Sequence, residues 1–170
     1  MDSASVISRL LGAPMRPGLV NWIGVRPVRR QPLTVVESVE LEPDDGVADD
    51  HYHSQTTRRR QVTLIQSEHL AAIASALGLP DVAPELLRRN IVTTGINLRA
   101  LKDRRFRLGE AVLEMTGECH PCSRMEETFG PGGYNAVRGH GGITARVVSA
   151  GRVKLGDAIT RLDEVGALGL

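Results

Sequence analysis

Two cysteines stand three residues apart in ECHPCSRMEE (118–127): Cys119 and Cys122, with His120 between them and Arg124 two residues on. A thiol is chemically useful as its thiolate. With an ordinary pKa of about 8.5, only about 3% of a thiol is ionised at pH 7, and each unit of depression is worth about 1.4 kcal/mol. A nearby guanidinium or imidazolium supplies such a depression, so Cys122 is a candidate nucleophile or soft metal ligand. Free cysteine is also among the most buried residue types, and simple packing is the competing account. Three chemistries contend for the pair. A thioredoxin-like motif needs the pair to follow a strand and open a helix in a βαβ unit, whereas the flanking sequence is β-rich and glycine-bounded. A zinc site needs two more ligands, for which His51 and His53 are the available pair. In the third, one reactive cysteine holds a metal cofactor.

Around these thiols the sequence supplies groups suited to an anion. Arg58, Arg59 and Arg60 precede Gln61; Arg88 and Arg89 precede Asn90; Lys102, Arg104, Arg105 and Arg107 form a third cluster. Arginine grips phosphate bidentately, and in a chain of net charge +1 such clusters suggest a local pocket and not a sheath for a polymer. Charged residues guarding a strand edge explain any one cluster equally well. Gly130 to Gly142 packs six glycines into thirteen residues with Arg138 and His140 among them, and Arg146 follows. Such backbone lets a ligand approach closely, or forms a plain surface loop. It is neither a Walker A loop nor a dinucleotide fingerprint. His51 and His53 flank Tyr52 and read as a ligand-binding pair or as two solvent-facing histidines.

The elements that must position these groups read as mainly β. With 170 residues, 41% hydrophobic, the chain buries a core without disulfides or metal. Residues 1–17 read as a short helix or arm, and residues 18–170 as one domain. From Gly18, β-branched runs punctuated by Pro27 and Pro32 suit strands and turns. QVTLIQ (61–66) reads as a buried strand, then Ser67 as the cap of a helix stopped by Gly78 and Pro80. A second helix starts at Pro84 and runs through ELLRR, followed by a strand at IVTT. RFRLGEAVL (105–113) and RVKLGDAIT (152–160) share one frame and predict two similar strand–turn–strand corners. The expected architecture is a β-barrel of mixed strands with a few peripheral helices. Five aromatic residues and near-neutral charge argue against nucleic acid as the main partner. No run approaches the ~20 apolar residues of a membrane span, the N-terminus is neither a secretory nor a transit peptide, and two cysteines make no disulfide scaffold; a cytoplasmic location is expected.

Taken in order, RRNIVTTGINLRALKDRRFRLGEAVLEMTGECHPCSRMEE and RGHGGITARVVSAGRVKLGD resemble the MOSC domain, named for the C-terminal domain of molybdenum cofactor sulfurases. GVADDHYHSQTTRRRQVTLIQSEHL resembles the family's upstream G-x-x-x-D segment, so the resemblance runs from about Gly46 to Asp157. The R-x-N-I-V, R-F-x-L-G-E, cysteine and G-x-x-x-G-D elements carry it together. The resemblance implies a pyruvate-kinase-barrel-like β-barrel, and binding of the pterin-based molybdenum cofactor (molybdopterin) or carriage of sulfur for it. It makes Cys122 the functional cysteine and metal ligand, and Arg88 and Asn90 the contacts to the pterin–phosphate part, with Arg60 and Arg138 as further candidates. It implies reduction of N-hydroxylated small molecules fed by an electron-donating reductase. The alternative is a sulfur carrier loaded by a cysteine desulfurase, with Cys119 resolving a persulfide on Cys122.

Overall fold

The computed structural model describes residues 3–51 and 57–163. Strands β1 (Gly18–Val25), β5 (Val62–Gln66), β6 (Ile91–Thr94), β7 (Arg105–Leu108), β8 (Ala111–Glu118), β9 (Ile143–Ser149) and β11 (Ala158–Leu162) form a closed barrel. Around it the order is β1-β11-β7-β8-β9-β5-β6, and β6 returns to β1. Closure is made where Gly18 and Leu19 meet Ile159 and Ala158. All neighbours are antiparallel except β5 and β6. Short strands β2 (Thr34–Val35), β3 (Ser38–Glu42), β4 (Gly46–Val47) and β10 (Gly151–Lys154) lie outside the ring; β10, β3 and β4 make a second sheet. The expected mainly β barrel with a few helices is the observed class.

The pleat explains the strand sequences. In β7, Phe106 and Leu108 are buried while Arg105 and Arg107 alternate outward, so half of the third basic cluster is a solvated strand face. Val20, Ile23, Leu64, Phe106, Leu113, Ile143 and Ile159 fill the interior. Strand β5 is buried on both sides. Leu64 belongs to the barrel core, whereas Ile65 joins a second apolar cluster with Ile73, Leu87, Val92, Met125 and Val137.

That second cluster exists because a parallel pair cannot be joined by a hairpin. The β5–β6 crossover carries helices α2 (Ser67–Leu77) and α3 (Pro84–Leu87), and α4 (Arg124–Phe129) and α5 (Gly133–Val137) pack beside them. Ser67 is not the cap of α2: Gln66 occupies that position without a capping hydrogen bond, its side-chain oxygen accepting instead from the Leu98 N–H at 3.1 Å. Gly78 ends α2 in the left-handed conformation, as expected. Helix α3 stops at Leu87, short of the predicted ELLRR, because Arg88 turns left-handed at φ 61°.

The two echoed segments differ in role. RFRLGEAVL is a hairpin of β7 and β8. RVKLGDAIT is a corner between sheets, since β10 pairs with β3 and β11 with β7 and β1. The two turns pack together, the Glu110 N–H donating to the Arg152 carbonyl at 3.0 Å. At the N-terminus, helix α1 (Ser3–Leu11) is tethered by the buried Arg161, whose guanidinium donates to the carbonyls of Leu11, Gly12 and Ala13.

Candidate functional site

One end of the barrel gathers segments that are far apart in sequence. Arg26 follows β1, Asp50 and His51 follow β4, Arg60 and Gln61 lead into β5, Arg88–Asn90 lead into β6, and Cys119 and Cys122 follow β8. Together with Arg124 they line a cleft of about 370 Å³. Cys122 is exposed to solvent there and Cys119 is buried beneath it. The thiol pair does follow a strand and precede a short helix, but β8 is antiparallel to both neighbours and no βαβ unit surrounds it.

Asn90 ties the cleft's floor together. Its Oδ1 accepts from the Thr63 N–H at 3.2 Å and the Thr63 hydroxyl at 3.0 Å, and its Nδ2 donates to Asp50 Oδ2 at 2.7 Å and to the Gly24 carbonyl at 3.4 Å. Both polar ends of the amide are therefore committed to protein groups, and Asn90 acts as a strut between β5, β1 and the segment after β4. His51 adds a second strut, its Nδ1 lying 3.0 Å from the Arg26 carbonyl and 3.3 Å from Asp50. His53 lies outside the described residues. Among the described residues no group of three His, Cys, Asp or Glu side chains is placed to hold a metal ion.

Arg89 performs a similar task on the opposite wall. It is buried, donating from Nε to the Gly141 carbonyl at 2.7 Å and from Nη1 to the Leu87 carbonyl at 2.6 Å. Burial pulls it below the usual guanidinium range, an effect opposed by Cys119. The glycine-rich segment thus serves as a brace: Gly141 receives Arg89, and the Gly142 carbonyl receives the Cys119 N–H at 2.8 Å. A side chain at either glycine would overlap backbone, the Cys119 carbonyl at one and the Leu64 carbonyl at the other. Arg60 reaches Cys119 Sγ at 3.9 Å. Arg138 is exposed after α5 and is not among the residues lining the cleft.

The electrostatics of the walls are lopsided. Arg26, Arg60, Arg88, Arg89 and Arg124 face one carboxylate, Asp50. Arg26 is pulled below its ordinary range first by burial and then by Arg88, with Asp50 opposing and Arg124 adding to the fall. Arg88 is lowered by burial and by Arg124, with Cys122 opposing. Arg26 is 8% exposed, and its Nε is buried with no hydrogen-bond partner among the described residues. A buried donor left unpaired costs roughly 1–3 kcal/mol, so Arg26 has capacity for an acceptor at the cleft wall. Sequence reasoning passed over Arg26. It lies 62 residues from Arg88, and only barrel closure brings them together; its signal is an arginine placed directly after a strand that ends at the cleft.

The MOSC domain matches residues 49–160, about two thirds of the chain and the stretch that holds all of the cleft-lining groups named above but Arg26. The chain belongs to the MOSC domain family. The family is molybdenum-cofactor-related. Among solved structures, the YuaD protein of Bacillus subtilis is similar with a TM-score of 0.75 at 20% identity, covering 85% of this chain and 94% of that one. YiiM of Escherichia coli gives 0.67 at 18% identity over 88% of this chain and 71% of that one. YiiM of Geobacillus stearothermophilus gives 0.64 at 16% over 89% and 77%. At these identities the likeness is one of fold. No curated protein matches the chain in sequence. No helix among the described residues is long and apolar enough to cross a membrane.

Proposed function

We propose that this MOSC protein holds the molybdenum cofactor in the cleft, with the Cys122 sulfur as metal ligand, and reduces N-hydroxylated small molecules. The observation that carries the reading is an exposed thiol at the mouth of a cleft with five guanidiniums and one carboxylate, one guanidinium having an unpaired buried Nε. A soft sulfur donor beside anion-gripping arginines is the donor set that a phosphorylated, sulfur-bound metal cofactor requires. When bound, the cofactor supplies two-electron oxygen-atom chemistry at the metal.

The chain's own residues would divide the remaining work. Arg88, aimed by its left-handed backbone, and Arg26 would hold the cofactor's phosphate, with Arg60 at the edge. Asn90 would act as a positioning residue, fixing Thr63, Asp50 and the end of β1. With its Nδ1 proton directed at the Arg26 carbonyl, His51 keeps Nε2 as the nitrogen able to accept and return a proton. The balanced reaction takes the hydroxylamine R–NH–OH, two electrons and two protons to R–NH2 and water. The N–O bond breaks, and a flavin- or iron–sulfur-containing reductase brings the electrons.

Cys119 lines the same cleft as Cys122, which supports a second reading: a carrier that takes sulfane sulfur from a cysteine desulfurase onto Cys122, with the Cys119 thiol able to resolve the persulfide. Elemental analysis and pterin fluorescence on protein made with ample molybdate separate the two. Molybdenum and pterin near one per chain, lost in Cys122→Ala, is the expected result. A folded protein free of both, with a sulfur adduct on Cys122 by mass spectrometry after exposure to a desulfurase, overturns the reductase reading in favour of the carrier.

A further inference from the structure

Arg124 is the one cleft guanidinium that the cofactor reading leaves without a task. It is the first residue of α4, two positions beyond Cys122, and half-buried at the cleft wall. Arg26 and Arg88 both feel its charge. Among the described residues its side chain has no ion-pair or hydrogen-bond partner, in contrast to Arg89, held by two carbonyls, and Arg161, held by three and by Asp163.

Charge counting says what it waits for. Among the described residues, five guanidiniums against Asp50 leave four positive charges on the walls. A Cys122 thiolate removes one, and a phosphate monoester removes about two. About one positive charge is left over next to the thiol, in a partly desolvated place where charges interact more strongly than in water. Among the described residues no Phe, Tyr or Trp lines the cleft, while five guanidiniums do, so ionic grip is the means of recognition these walls favour.

We propose that Arg124 forms an anion-recognition subsite beside Cys122, and that the substrate carries a carboxylate or phosphate within reach of its N–O group. The inference rests on the reductase reading for its substrate chemistry, while the subsite itself is a property of this chain. Arg124 is a specificity-determining residue: it holds the anionic end of the substrate and thereby places the N–O bond at the Cys122 side of the cleft.

With reduced methyl viologen supplying the two electrons, the test compares an aryl amidoxime bearing a ring carboxylate with its uncharged methyl ester, on cofactor-loaded wild type, Arg124→Ala and Arg124→Lys. Binding of the corresponding carboxylate-bearing amidine, which lacks the N–O bond, is measured by calorimetry at low and high salt on the same proteins, and molybdenum content is measured for each. The expected result is a preference for the carboxylate, in KM and in amidine binding, on the order of tenfold or more. It falls towards unity in Arg124→Ala, returns in part in Arg124→Lys, and shrinks with salt. Equal KM for acid and ester in an active wild type overturns the proposal, as does a loss of molybdenum in Arg124→Ala, which would assign the arginine to the cofactor. If no variant reduces either compound, the reductase reading fails and the calorimetry alone decides the subsite. Carboxylate binding that depends on Arg124 sustains it; no binding to wild type overturns it.

Discussion

Gly139 and Gly142 sit in one loop with nearly the same backbone angle, φ 82° and 86°, but in different surroundings. A Cβ on Gly139 meets nothing within 4 Å, whereas on Gly142 it would overlap the Leu64 carbonyl and press on Ile65 Cα at 3.0 Å. Alanine at either position incurs the left-handed strain of an L residue, about 1–2 kcal/mol. At Gly142 it adds the cost of forcing β9's entry away from β5, about 1–3 kcal/mol. Gly142→Ala should therefore cost about 2–5 kcal/mol, a large share of a total stability on the order of 5–15 kcal/mol. In thermal unfolding followed by circular dichroism this is a fall in Tm of roughly 4–20 °C, with Gly139→Ala falling by the strain alone. The urea midpoints should keep the same order. Because the Gly142 carbonyl holds the Cys119 N–H, Gly142→Ala should also raise the reactivity of Cys119 towards a thiol reagent under native conditions. Equal destabilisation of the two variants would refute the claim that close approach of backbone fixes this loop.

Three other expectations follow from single residues. Arg88 stands at φ 61°, so Arg88→Gly should be more stable in urea than Arg88→Ala by about 1 kcal/mol, while both lose cofactor content; a more stable alanine variant would contradict the strain. Glu68 is nudged upward by burial but held below its ordinary 4.5 by hydrogen bonds from the Gly95 N–H, its own N–H and the Thr94 and Ser67 hydroxyls. Its charged form thus stabilises the fold above pH 4.5, and the benefit fades as pH falls through the lowered value; Glu68→Gln should lose stability at pH 7 and converge on wild type in acid, measured by urea unfolding at both pH values. Arg161→Met should cost on the order of 2–3 kcal/mol and expose residues 3–12 to limited proteolysis, since three carbonyls lose their donor.

Much of the barrel was legible because its strands carry their orientation in their own letters. RFRL alternates charge and bulk with the pleat, and Gly109 after it marks the turn. RVKLGDAIT carries the same letters yet bends between sheets, because pairing partners are chosen by residues more than a hundred positions away: β10 meets β3 by joining Arg152 to Glu40. Helix α4 was not foreseen, since six residues give no periodicity to read. In the site, Cys122, Arg88 and Asn90 announced themselves by motif and meet in one cleft. Asn90 turned out to be a strut, a distinction that depends on where its two amide atoms point. Arg26 stayed hidden because its partners are assembled only by the ring, while Arg138 is exposed after α5 and does not line the cleft.

Closing that ring has a kinetic side. The barrel shuts when Gly18 and Leu19 find Ile159 and Ala158, partners about 140 residues apart, so the seam cannot form until β11 has left the ribosome. Until then β1 has β6 on one side and, on the other, β2 only at Gly24–Val25, leaving its Gly18 end bare, and β7 waits with an open edge of its own. Pairing at such sequence separation places folding at the slow end for a chain of this size, and an unpaired edge held open during that wait is where self-association begins. Arg105 and Arg107, alternating outward along β7, put charge on one of the two strands that wait for β11.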